Sequence, residues 1–163
     1  MARQPLGLRL SHPAALIATW FGAGLLPLAP GSWGSLAALP CGWLLVSYFG
    51  VDGLLVAVAL AFEAGWWASA RIVKASGIND PGFVVIDEIA AQLLVLAAAP
   101  LDWRFYAVAF FLFRLFDIWK PFPIDWLDRR VKGGLGVMLD DVAAAIYALA
   151  LILGGEGVLG VRP

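Results

Sequence analysis

Apolar residues run along this chain in long blocks, without the strict alternation of half-buried strands. Five blocks stand out, at roughly 35–50, 54–70, 84–99, 103–118 and 141–155. Rich in Ala and Leu, they predict helices. Each is nearer to about 15 residues than to the roughly 20 that cross a bilayer upright, so flanking residues are expected to complete each span. An earlier block, Pro13 to Leu28, is interrupted by Gly22, Gly24 and Pro27 and predicts an interfacial or re-entrant helix. Phe49–Gly53 and Ala99–Asp102 read as tight turns, whereas 71–83 and 119–140 are longer and polar. The expected fold is all-α: an integral membrane bundle of about five transmembrane helices plus the N-terminal helix, in a single domain over 1–163.

Composition sharpens the membrane reading. The chain is 62 % hydrophobic and 14 % charged, against about 45–50 % and about 25 % in soluble domains. A domain of 163 residues cannot hide that much apolar surface in one core, and eight Trp suit a lipid interface. A net charge of −1 gives no bulk attraction to nucleic acid, so none is expected as a partner. The single Cys41 excludes an intrachain disulfide and a Cys-rich zinc site. The N-terminus is basic but lacks the apolar core of a signal peptide. Arg3, Arg9, Arg71, Lys74, Arg114, Lys120, Arg129, Arg130 and Lys132 fall at the N-terminus and along the longer polar segments, leaving Arg104 and Arg162 elsewhere. The positive-inside rule then puts the N-terminus and both long loops in the cytoplasm.

Topology explains those cations but not the acids beside them. Asp80, Asp87, Glu88, Asp117, Asp125, Asp128, Asp140 and Asp141 lie on the same side, several at the edge of apolar helices where desolvation is costly. Asp87 and Glu88 are adjacent in an apolar run, either a helix-start charge pair or a hard-cation site. In Phe113-Arg114-Leu115-Phe116-Asp117-Ile118-Trp119-Lys120, the three charges are spaced i, i+3, i+6, one polar stripe if the helix continues. The stripe reads either as Arg114 and Asp117 neutralising each other or as Arg114 and Lys120 holding a phosphate. Gly133-Gly134-Leu135-Gly136 reads as a tight loop leading Asp140 and Asp141 into the final helix. Two acidic pairs plus Asp117 approaching one face would repel severely without a cation. Gly31-Ser32-Trp33-Gly34-Ser35 opens a helix and offers Ser32, Gly34 and Ser35 as anion-binding positions. His12 is the one histidine, and no Cys-x5-Arg loop, Gly-x-Ser-x-Gly elbow or Walker motif is present. The remaining inventory of carboxylates, cations and glycines suits metal-assisted attack of water on a phosphate.

Taken together, Gly22-x-Gly24…Pro30-Gly31-Ser32-x-Gly34-Ser35, Asp80…Asp87-Glu88, Phe113-Arg114-x-x-Asp117-x-x-Lys120-Pro121-x-Pro123 and Gly136-x-Met138-x-Asp140-Asp141 resemble phosphatidylglycerophosphatase A, from about residue 13 to residue 153. The resemblance implies a small bacterial inner-membrane enzyme with its site facing the cytoplasm. It would use Mg2+ to hydrolyse phosphatidylglycerophosphate to phosphatidylglycerol. Asp87, Glu88, Asp117, Asp140 and Asp141 form the expected catalytic and metal-ligand pool. Arg114, Lys120, Ser32, Gly34 and Ser35 are the expected phosphate contacts, and Asp80 and Asp128 also carry the family's polar pattern. Ser32 stands where Thr is usual, and Ala91 and Ala145 where Gly is typical.

Two other classes compete. A small ion-binding transporter or membrane assembly subunit would use the same carboxylates for passage, with Glu63 inside the second apolar block as its best support. Transport, however, places acids near the midplane, whereas here they gather at one end. A transferase acting on CDP-activated lipids ranks last, because its Asp-Gly-x2-Ala-Arg string is missing.

Overall fold

A computed structural model describes residues 7–159, with side chains through 155. Every regular element among the described residues is helical: α1 (Pro13–Ala18), a 3-10 turn (Ala23–Leu25), α2 (Pro30–Ser76), α3 (Ile86–Leu96), α4 (Trp103–Trp119), α5 (Ile124–Arg130) and α6 (Gly133–Leu159).

The 47 residues of α2 contain a reversal at Gly50, whose φ of 67° and ψ of −173° are non-helical. Such a conformation suits a residue without Cβ. A straight helix would separate Gly31 from Gly65 by roughly 50 Å at 1.5 Å per residue. Instead Gly31 abuts Glu88, and Gly65 abuts Ile86 two residues away. The element is therefore a helical hairpin, with arms at 30–49 and 51–76, matching the two apolar blocks and the tight turn read between them.

Between these arms, α4 and α6 lies α3. Nine of its 11 residues are buried, so neighbouring helices cover its apolar run and account for it without recourse to lipid. Leu93 and Leu96 pack at Gly42. Ala91 and Ala145, the two departures from glycine, are fully buried. The α1 helix docks through Ala14, Ala15 and Ala18, all fully buried, while Phe21 and Leu28 project outward. The Val85 amide donates to the Ala18 carbonyl at 2.8 Å, tying α1 to the start of α3.

The expectation of five spans is corrected. Among the described residues, two helical elements are long and apolar enough to cross a membrane, the α2 hairpin (Pro30–Ser76) and Gly133–Gly155, fewer than the five expected. With 11 residues, α3 is shorter than a span, whereas α4, with 17, lies at the lower limit of one. Apolar blocks counted along the chain do not distinguish a lipid-facing helix from one enclosed by its neighbours. The hairpin is the opposite case to α3: only 6 % of its most apolar stretch is buried within the chain.

Two local readings also change. Residues 119–140 are not a continuous loop but hold α5 and the first turns of α6. Gly133-Gly134-Leu135-Gly136 thus begins a helix, where Gly134 lets α6 lie directly on the backbone of Ala70. Asp140 and Asp141 consequently sit about two turns inside α6 rather than at its start. That removes the helix-start explanation for the pair, because the dipole's influence fades within the first turn.

Candidate active site

The start of α3 supplies Asp87 and Glu88, both in its first turn. The Asp87 carboxylate accepts the Glu88 amide at 3.0 Å. The interior of α6 supplies Asp141. One carboxylate oxygen from each of Asp87, Glu88 and Asp141 lies within 4.8 Å of the others. Asp87 is 7 % exposed and Asp141 4 %. Glu88 Oε2 and Asp141 Oδ2 are buried and unpartnered. Three carboxylates so confined, with acceptor atoms left over, repel one another unless a cation is shared among them. All-oxygen donors suit a hard divalent ion.

The end of α4 closes the cluster. Arg114 Nη1 is 2.6 Å from Asp117 and 3.8 Å from Glu88. Asp117 also adds its negative charge to that around Asp141. Arg114 is therefore partly neutralised by Asp117, one of the two readings of the sequence, yet its buried Nε has no partner. A buried guanidinium with spare donors can still accept an anion.

Lys120 departs from expectation. Helix α4 ends at Trp119, and Lys120 caps it in a left-handed conformation with φ 46°. The i, i+3, i+6 stripe is therefore broken at its last member, because the chain has left the helical path before Lys120. The ammonium reaches Asp140 at 2.7 Å and Asp128 at 3.2 Å. Burial opposes its charge, but Asp140 and Asp128 more than offset this and hold its pKa above the ordinary lysine range. With the folded pKa raised, its contribution to stability is fully present below the ordinary lysine value. It is lost only as pH rises through the elevated one. Asp80, Asp128, Lys132 and Asp140 line one cleft beside this pair. The candidate residues thus divide into an inner group (Asp87, Glu88, Arg114, Asp117, Asp141) and an outer one (Asp80, Lys120, Asp128, Asp140), joined through Asp140–Asp141 and the end of α4.

The glycine-rich helix start contributes differently from the expected phosphate contacts. Ser35 is buried and donates to the Gly31 carbonyl at 3.0 Å. Gly34 packs against Val85, and Ser32 is half-buried. The residue of this segment at the cluster is Gly31, where an added Cβ would meet Glu88 Oε1 and Arg114 Nη1. Gly31 is absent from the candidate pool drawn from sequence. The signal for it was the Pro30-Gly31 step opening a helix, which marks a small residue without saying what approaches it. A Gly31→Val substitution should displace both side chains and lower turnover at least roughly tenfold, since small displacements at reacting groups are costly. The thermal midpoint should change little because both neighbours are ends of flexible side chains. Paired kinetics and thermal melts check this.

Comparison with known proteins gives the family. The family model described as phosphatidylglycerophosphatase A matches residues 16–156. The chain belongs to the phosphatidylglycerophosphatase A family. It is similar to phosphatidylglycerophosphatase A of Haemophilus influenzae, 44 % identical over 144 residues that make up 88 % of each chain. The Escherichia coli protein of that name is 38 % identical over 146 residues, 89 % of this chain and 84 % of the relative. A Bacteroides thetaiotaomicron protein, provisionally named a phosphatidylinositol-3-phosphatase, is 38 % identical over 160 residues, 93 % of this chain and 99 % of its own. No solved structure matches. As a member of this family the chain is a phosphatase of phospholipid metabolism, with a buried acidic cluster able to hold a metal ion.

Proposed function

We propose that this phosphatase hydrolyses phosphatidylglycerophosphate to phosphatidylglycerol with Mg2+, in the bacterial inner membrane with its site facing the cytoplasm. The observation that carries the reading is the Asp87–Glu88–Asp141 cluster, buried and with unpartnered carboxylate oxygens. Asp87, Glu88 and Asp141 would hold the cation, with Asp117 and Asp140 at its edge. A divalent ion bound there supplies Lewis-acid polarisation and an acidified water.

The chain's own residues do the rest. Arg114 turns its spare N–H groups to the non-bridging oxygens of the phosphate, where charge is redistributed as the ester bond breaks. Asp117 fixes the guanidinium plane from one side. Lys120, partly exposed between the inner and outer groups, completes the cationic side while orienting Asp140. Ser32 remains the hydroxyl of the helix start available to the phosphate. Burial of the inner carboxylates excludes bulk water, and the apolar outer face of the α2 hairpin suits a substrate whose acyl chains stay in the bilayer.

The relative named for phosphatidylinositol 3-phosphate favours testing a second headgroup, because both substrates present a phosphomonoester on a lipid. Protein purified in neutral detergent micelles should release phosphate from phosphatidylglycerophosphate with Mg2+ and none with EDTA. Phosphatidylinositol 3-phosphate should be cleaved at least roughly tenfold more slowly, the margin that one or two lost hydrogen bonds to the headgroup would give. Equal rates with and without EDTA would overturn the metal assignment, and faster cleavage of the inositol lipid would overturn the substrate.

A further inference from the structure

A separate concave surface lies along the second arm of the α2 hairpin. Glu63, Trp66, Trp67, Ala70, Arg71 and Lys74 line one groove. Their spacing places them on one helical face, and all six are exposed. Arg71 and Lys74 also line an adjoining hollow with Leu8 and His12, so two chain segments meet around the same two cations. None of these residues lines the Asp128–Asp140 cleft.

Along this face the order is one acid, Glu63, then the two tryptophans, then the two cations. The Arg71 guanidinium lies 5.8 Å from the centre of the Trp67 ring. His12 Nδ1 accepts the Ala14 amide at 3.1 Å, leaving Nε2 as the position for the ring proton. Among the described residues neither Arg71 nor Lys74 pairs with a carboxylate. Glu63, the one acid on this face, is roughly 12 Å away from Arg71 along the helix axis at 1.5 Å per residue.

We propose that this groove binds the phosphodiester headgroup of an acidic bilayer phospholipid, separate from the substrate. Arg71 and Lys74 hold the phosphate, and the acyl chains run along the Trp66–Trp67 face. The charge selects an anion. Tryptophans one to two turns below the cations select a lipid over a soluble phosphate, since indole rings settle where headgroups meet hydrocarbon. Arg supplies paired donors and Lys a point charge. The inference rests on the reading of the hairpin as lipid-embedded, and it adds a site at which the surrounding membrane is recognised rather than hydrolysed.

Native mass spectrometry of the full chain, released from neutral micelles doped with phosphatidylserine or phosphatidylcholine, tests it. The wild type should retain one phosphatidylserine in preference to phosphatidylcholine. The double variant R71Q/K74Q should retain it roughly 10- to 30-fold less, the effect of losing two headgroup-facing cations. R71K/K74R should recover most of the retention, and Asp141→Asn should retain the lipid as the wild type does. Equal retention by R71Q/K74Q, or equal retention of phosphatidylcholine by the wild type, overturns the site. So does loss of the lipid from Asp141→Asn, which would place it in the carboxylate cluster. Phosphate release from phosphatidylglycerophosphate by R71Q/K74Q, in neutral micelles without phosphatidylserine, should match the wild type. Scoring wild-type phosphate release separately distinguishes failure of the catalytic reading from failure of the headgroup site.

Discussion

Asp141→Asn should abolish Mg2+-dependent phosphate release and at the same time raise the thermal midpoint of the protein in EDTA. The two effects share one cause. Asp141 is buried inside α6, with Asp87 and Glu88 close enough to share an ion, and Asp117 and Asp140 add further negative charge. Without a cation the native state carries this repulsion, and an amide of the same shape relieves part of it. With a cation the ranking reverses. Ligand at a hundred times its dissociation constant stabilises the folded state by about 2.7 kcal/mol, a shift of roughly 5–10 °C for a chain of this size. The wild type should show that shift on adding Mg2+, and Asp141→Asn should lose most of it. Differential scanning fluorimetry with and without EDTA reads the metal directly, without reference to turnover. A variant that is inactive, no more stable in EDTA and still stabilised by Mg2+ would remove Asp141 from the ligand set.

Arg114→Lys should lower turnover on the order of 10²-fold, the cost of removing a donor aimed at developing charge, while the protein stays folded. Arg114 touches both Asp117 and Glu88, so lysine can keep much of the charge pairing. What it cannot keep is the planar fan of donors, of which Nε is buried and without a partner. If Arg114 merely neutralises Asp117, the lysine variant will be nearly silent. A double replacement, Arg114→Met with Asp117→Leu, will then fold and retain activity, since a buried ion pair can often be exchanged for apolar residues without loss. Steady-state kinetics and thermal melts of these two variants separate the roles.

Much of the candidate site was legible in the chain. Carboxylates within apolar blocks need compensation wherever they fall, so Asp87, Glu88, Asp117, Asp140 and Asp141 could be singled out by cost alone. The reversal between the first two blocks was legible for a similar reason: Gly50, Asp52 and Gly53 interrupt an otherwise continuous apolar pattern. The number of spans was not. The α3 block and the α2 blocks have similar composition, but α3 is enclosed by other helices while the hairpin presents its face outward. Hydropathy measures what a residue avoids, water, and is blind to whether protein or lipid replaces it.

By itself, then, the sequence determined an all-helical chain, a tight turn within Phe49–Gly53 between its first two apolar blocks, and a set of acids and cations too costly to be left uncompensated. Only the tertiary structure decided which of them meet. It joined residues from α3, α4 and α6 that lie more than 50 positions apart, from Glu88 to Asp141. It placed Gly31 against Glu88 and Arg114, and it ended α4 one residue before Lys120, turning that side chain toward Asp128 and Asp140. Spacing along a helix sets directions only while the helix lasts. Where a helix ends and which neighbour it packs against are set by contacts distant in sequence, and those contacts group the charges into an inner carboxylate cluster able to hold a metal ion and an outer cleft.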